Sequence, residues 1–169
     1  MSIYDPIRHR MLVFGGSGFD NTFSNDAWAL SLDGPPAWSL LIPSGPRPSG
    51  RFSHAGAYDP VRDRFIVFGG YDGAFKNDVR ALTLSAAPSW TQLSPSGAAP
   101  RLDAMTAVYD RVRDRLLIFG GWDGFSFHNE VWSLSLAGAG SWSILGTSER
   151  RRRRDATTRR STTWRGTGW

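Results

Sequence analysis

Three stretches of the chain carry one hydrophobic pattern. Four apolar residues in a row ("MLVF" at 11–14, "FIVF" at 65–68, "LLIF" at 116–119) follow a charged, turn-forming segment and end on two glycines. Short apolar runs bounded by turn signals predict strands buried on both faces. Farther on, "VWSLSL" from Val131 alternates apolar with small polar residues, the period of a half-buried strand. The charged segment "YDPVRDR" from Tyr58 places Asp59 and Pro60 where a type I turn wants them, because proline presets φ at its second position. The glycine pair closes the buried strand where backbone approaches backbone or adopts positive φ. No stretch combines a helical period with caps, so the class is all-β.

The pattern is a repeat. "YDPIRHRMLVFGG" starts at Tyr4, "YDPVRDRFIVFGG" at Tyr58 and "YDRVRDRLLIFGG" at Tyr109. Each glycine pair (Gly15-Gly16, Gly69-Gly70, Gly120-Gly121) leads into a variable loop, then "NDAWALSL", "NDVRALTL" or "NEVWSLSL", then one further tryptophan, Trp38, Trp90 or Trp142. With the segment ahead of Tyr58, "RFSHAGAY", a full unit supplies four strands. An apolar run ending in Gly-Gly, a spaced tryptophan and a period near ~50 residues resemble kelch repeats. The resemblance implies a partial β-propeller of three kelch-type, four-stranded antiparallel blades. Residues 1–46 form blade 1, lacking most of its inner strand; 47–97 form blade 2; 98–148 form blade 3; and 149–169 form an Arg-rich tail expected to be disordered. Two departures from the family pattern are expected to weaken packing locally. Its third-strand tryptophan, present as Trp28 and Trp132, is Arg80 in the middle repeat. Its Arg-x-x-His, present as Arg51 and His54, reads Arg101 followed by Ala104 in the third.

Composition changes the picture only at the end of the chain. The formal net charge of +5 comes entirely from the tail: residues 1–148 hold 12 Lys and Arg against 13 Asp and Glu, while 149–169 hold eight Arg against Glu149 and Asp155. The body therefore has no electrostatic footprint for a phosphate backbone, and no nucleic-acid partner is expected. The tail stands where a fourth tyrosine should fall, at 160–163. Written with GC-rich synonymous codons, except TCT chosen for Ser161, and read in a shifted frame, residues 155–169 yield Y-D-x-x-R-D-R, so the segment is expected to be an out-of-frame translation of a further blade. An Arg-rich nucleic-acid tail and a solvated tail are the alternatives. Met1 lies three residues before Tyr4, so both ends are expected to cut through a repeating unit. Three blades fall short of the ~4–8 that close a propeller, and open blade faces favour self-association.

The chemistry is sparse. With no cysteine, disulfides, thiolate metal sites, a Cys nucleophile and the Tyr–Cys copper site of galactose oxidase, whose central domain the blades also resemble, are excluded. His9, His54 and His128 lack metal-ligand spacing; no metal or cofactor is expected. His54 reads as structural, and His128 as a loop residue able to touch a ligand. No apolar run approaches the ~20 residues of a membrane span, the N-terminal run is too short for a signal peptide, and no compartment is indicated. What remains is the loops. "YDG" at Tyr71–Gly73 and "WDG" at Trp122–Gly124, aligned with "SGFDN", are most simply turns, yet they set aromatic faces beside carboxylates on one rim. Such a surface suits a protein or a carbohydrate. The expected contact residues are Phe19, Asp20, Tyr71, Asp72, Trp122, Asp123, Phe125 and His128, with Arg51 and Arg101 from the blade-connecting loops. The expected function is a non-enzymatic binding scaffold. The alternative is a fragment of a galactose-oxidase-like or glycosidase-type enzyme whose active residues lie in further blades.

Overall fold

The computed structural model describes residues 1–20 and 22–146; the expectations placed on residues 149–169 lie outside them. Among the described residues there are twelve strands. They are β1 (Ser2–Asp5), β2 (Arg10–Ser17), β3 (Phe23–Ser31), β4 (Ala37–Leu41), β5 (Ala55–Asp59), β6 (Arg64–Phe68), β7 (Val79–Thr83), β8 (Trp90–Leu93), β9 (Thr106–Asp110), β10 (Arg115–Phe119), β11 (Val131–Ser135) and β12 (Ser141–Leu145). They form three antiparallel meanders, β1–β4, β5–β8 and β9–β12, each ordered as in the chain. β5 packs beside both β1 and β9, so the first strand of each sheet is its inner strand and the sheets fan out as propeller blades.

The hairpin joining the first two strands of each blade is built the same way three times. Asp59 is fully buried, and its Oδ1 accepts the backbone N–H of Val61 (3.0 Å) and Arg62 (3.2 Å). Its Oδ2 accepts from Arg62 Nη1 (3.2 Å) and Arg64 Nε (2.8 Å). Asp5 with Arg8 and Arg10, and Asp110 with Arg113 and Arg115, repeat the arrangement. The last turn residue takes a left-handed conformation at His9 (φ 46°), Asp63 (φ 47°) and Asp114 (φ 47°), which Asp and His tolerate better than most residues.

Two cores lie between blades rather than within them. Leu12, Phe14, Ala27 and Ala29 of the first blade meet Phe65, Val67, Leu82 and Trp90 of the second. Ile66, Phe68, Val79 and Ala81 of the second meet Leu116, Ile118, Leu134 and Trp142 of the third. The outer-strand indoles of the second and third blades lie against the preceding blade: Trp90 on Phe14 (ring centroids 5.0 Å apart) and Trp142 on Phe68 (4.8 Å). Polar clasps cross the same boundaries. Arg8 donates to both carboxylate oxygens of Asp63 (3.1 and 2.5 Å), and Arg62 to both of Asp114 (2.9 and 2.7 Å).

Three expectations are corrected. The inner strand of the first blade is nearly whole: β1 has four residues against five in β5 and β9, and each of them pairs with β2. The Arg-x-x-His segment precedes this strand instead of forming it. Arg80 does not simply remove a tryptophan's packing; its Nη1 donates to the Pro46 carbonyl of the preceding blade's linker (3.2 Å) and its Nε to Asp78 (2.8 Å). Finally, the third repeat is aligned one residue further along than its arginine suggests. The N–H of Gly16 donates to Arg51 O, and that of Gly70 to Leu102 O. Leu102, not Arg101, therefore takes the place of Arg51, and Met105 that of His54; both are buried in the apolar core.

Candidate functional site

The loops after the second strand of each blade lie against the connections entering the blades. Phe52 and Tyr71 exchange backbone hydrogen bonds (3.1 and 3.0 Å), as do Asp103 and Trp122 (3.0 and 2.9 Å). These contacts put both sets of loops on one rim. The glycine pairs permit the close approach. A Cβ at Gly15 or Gly69 would fall 2.5 Å from Arg51 O or 2.8 Å from Leu102 O, and one at Gly70 or Gly121 2.7 Å from Phe52 O or 2.8 Å from Asp103 O. All six glycines of the pairs have positive φ, and at Gly15, Gly69, Gly70 and Gly121 geometry and space exclude a side chain together.

Aromatic rings tie neighbouring loops together. Phe23 meets Phe52 (5.4 Å), Phe52 meets Tyr71 (5.8 Å), and Tyr71 meets Phe75 (5.1 Å), whose ring lies against Gly124 of the next blade's loop. Trp122 packs on Phe127 at 4.6 Å. Tyr71 and Trp122 are half-buried in these groups and form a platform. Phe19, Phe125 and Phe127 stand out from it, almost wholly exposed. Phe23, Phe75 and Phe127 share one repeat position, two residues before Asn25, Asn77 and Asn129, a regularity of the sequence that the reading of the YDG and WDG turns passed over.

The expected carboxylates serve the loops themselves. Asp20 accepts from the Thr22 hydroxyl (2.6 Å), which holds it below the ordinary carboxylate range. Burial pushes Asp72 up, but Lys76 and Ser49 outweigh it and the net direction is down. Asp123 accepts the N–H groups of Ser126 (2.8 Å) and Phe125 (2.7 Å) and faces His128 Nε2 (2.8 Å); together these lower it strongly. His128 is raised in turn, first by Asp123 and then by Glu130. Asp103 differs, since burial alone lifts it.

Of the two expected arginines, only Arg101 is exposed; it donates to Phe75 O at 3.4 Å. Arg51 is 1% exposed, and its guanidinium is consumed by Asp78 (2.5 and 3.1 Å), the Gly69 carbonyl (3.0 Å) and Ser49 (2.9 Å). It clamps the connection to the blade and does not face a ligand. His54 is likewise buried, edge-on to Phe14 at 5.3 Å, and burial lowers its pKa to about 3. Among the described residues, no three His, Asp or Glu side chains converge as metal ligands would.

The chain matches the family model described as the KLHDC2/KLHL20/DRC7 Kelch-repeats domain over residues 3–165, a match that runs into the Arg-rich segment. It is 29% identical over 142 residues to the leucine-zipper-like transcriptional regulator 1 homolog of Drosophila melanogaster, covering 78% of this chain and 14% of that protein. It is 33% identical over 118 residues to dynein regulatory complex subunit 7 of Chlamydomonas reinhardtii, covering 66% of this chain and 10% of that protein. The chain thus spans only a small part of either relative.

Proposed function

As the chain belongs to the kelch-repeat family, we propose that it is a non-enzymatic binding scaffold whose loop-lined rim engages a protein or a glycan. The observation that carries this reading is the exposure of Phe19, Phe125 and Phe127 on loops whose backbones and carboxylates are otherwise internally bonded. The strand side chains between adjacent blades are committed to packing, whereas these loop rings stand in water with polar neighbours, the arrangement that favours recognition by a few aromatic anchors. The relatives point the same way: one is named for transcriptional regulation and the other for a dynein regulatory complex, so a protein partner is favoured over a glycan. Asp20, Asp72 and Asp123 are held low and are poor general acids, which at these three loops suits binding better than hydrolysis.

Replacing Phe125 and Phe127 together by Ala should reduce capture of the natural partner at least ~10-fold, about 1.4 kcal/mol, with an unchanged far-ultraviolet circular dichroism spectrum. Affinity capture with wild-type and variant chains, beside a glycan array, separates the two ligand classes. Equal capture by both chains would refute the rim as the contact surface.

A further inference from the structure

The chain of rings that ties the rim loops together is interrupted at one place by a carboxylate. Phe23 meets Phe52, Phe52 meets Tyr71, and Tyr71 meets Phe75. One blade on, the repeat puts Phe75 at the position of Phe23, Trp122 at that of Tyr71 and Phe127 at that of Phe75. The place of Phe52 is taken by Asp103. The backbone confirms this register. Asp103 pairs with Trp122 as Phe52 pairs with Tyr71, and the N–H of Leu102 donates to Lys76 O (3.3 Å) as that of Arg51 does to Ser24 O (3.1 Å). The residues that follow, Ser53 and Ala104, share a left-handed conformation (φ 52° and 53°). Directly paired residues of antiparallel segments have neighbouring Cβ atoms, so the Asp103 side chain stands beside the Trp122 indole, in a slot that holds a ring in blade 2.

Neighbouring carboxylates find a cation within the chain: Asp72 has Lys76 (2.8 Å), Asp78 has Arg51, and Asp123 has His128 (2.8 Å). Among the described residues, no side chain or backbone donor reaches the Asp103 carboxylate; Arg101, two residues before it, turns to Phe75 O. Burial acts on this half-buried acid with nothing to offset it and raises its pKa, the mark of an anion held in an apolar seat without a partner. Taking the rim as the contact surface, we propose that Asp103 and Trp122 form the seat for an arginine side chain presented by a protein partner. The guanidinium fork matches the two carboxylate oxygens, and its flat, weakly hydrated face lies on the indole. Lysine brings a point charge without the fork or the planar face, so it fits less well. A neutral sugar leaves the carboxylate uncompensated.

The test titrates the full chain with N-acetyl-arginine methylamide and with its uncharged citrulline counterpart. The readout is the nuclear magnetic resonance signal of the Trp122 indole N–H, assigned by its loss in Trp122→Phe. The arginine probe should shift that signal saturably, and the citrulline probe should bind at least ~5-fold more weakly. Asp103→Asn, which keeps the shape and removes the charge, should weaken the arginine probe by the same factor, the worth of an accessible ion pair. Asp103→Phe restores the ring of blade 2 and should abolish binding with native strand content by circular dichroism. No shift at Trp122, equal binding of the two probes, or unchanged binding by Asp103→Asn overturns the proposal. If the arginine probe fails while the Phe125 and Phe127 variant loses its partner, the arginine seat falls and the rim stands. If the probe binds as expected while that variant captures normally, the seat stands and the aromatic rim reading falls.

Discussion

Arg51 shows how much can rest on one side chain. It is a buried cation whose donors are spread over Ser49, Gly69 and Asp78, so it joins the linker, the glycine pair and the start of β7. Removing one partner of a buried pair usually costs about 3–5 kcal/mol. Asp78 keeps Arg80 and retains some contact with water, so Arg51→Leu should cost less, about 2–3 kcal/mol in urea unfolding. His54 beside it makes a pH prediction. Its folded pKa is about 3 against ~6.5 unfolded, so between those values the unfolded chain binds the extra proton. The stability is fully present above ~6.5 and is lost as pH falls, by at most ~1.4 kcal/mol per pH unit. His128 is shifted upward and works in the opposite sense, but it sits on an exposed loop and contributes little. Thermal midpoints measured from pH 7 to 5, above the carboxylate range, should decline for wild type and level off in His54→Met, the residue that blade 3 carries as Met105. Parallel curves would show that His54 does not govern the slope.

Among the elements, the hairpin and its cross-blade clasp are the repeating device. Arg62 and Asp114 are each about one-third exposed and meet through two hydrogen bonds. A double-mutant cycle with Arg62→Gln and Asp114→Asn should give a coupling of about 1 kcal/mol, since partial exposure tempers even a bidentate pair. A coupling near zero would reduce the clasp to an ornament of packing. Most of this level was legible beforehand: turn, buried run, glycine pair and alternating strand each have a local cause, so the four-stranded meander could be read from one repeat and checked against two others. The position of the buried clamp was not. Arg51 and Arg101 match by letter, but counting seven residues back from Tyr58 and Tyr109 pairs Arg51 with Leu102. The linkers differ in length, and alignment by residue type overrode the register that the inner strand imposes. Phe127 was overlooked because exposure, the property that makes it a candidate contact, leaves no pattern in the apolar periodicity.

For the whole molecule, burial depends on neighbours more than on the side chain itself. β6 and β10 carry nearly the same apolar run, yet Phe65–Phe68 are buried throughout while β10 alternates and ends on the exposed Phe119. Among the described residues β6 has a blade on each side and β10 has one, a difference that a single repeat does not encode. The outer-strand tryptophans turn this into a measurement. Trp90, Trp142 and Trp38 hold one repeat position and are 1%, 8% and 54% exposed. Trp90→Ala and Trp142→Ala should each cost about 3–5 kcal/mol, the range for deleting a large buried aromatic. Trp38→Ala, with no blade in front of it among the described residues, should cost less than about 1 kcal/mol. Urea midpoints at low protein concentration compare the three directly. A Trp38→Ala penalty matching that of Trp90→Ala would mean that this face is covered in solution, and a penalty that fades on dilution would identify the cover as a second molecule.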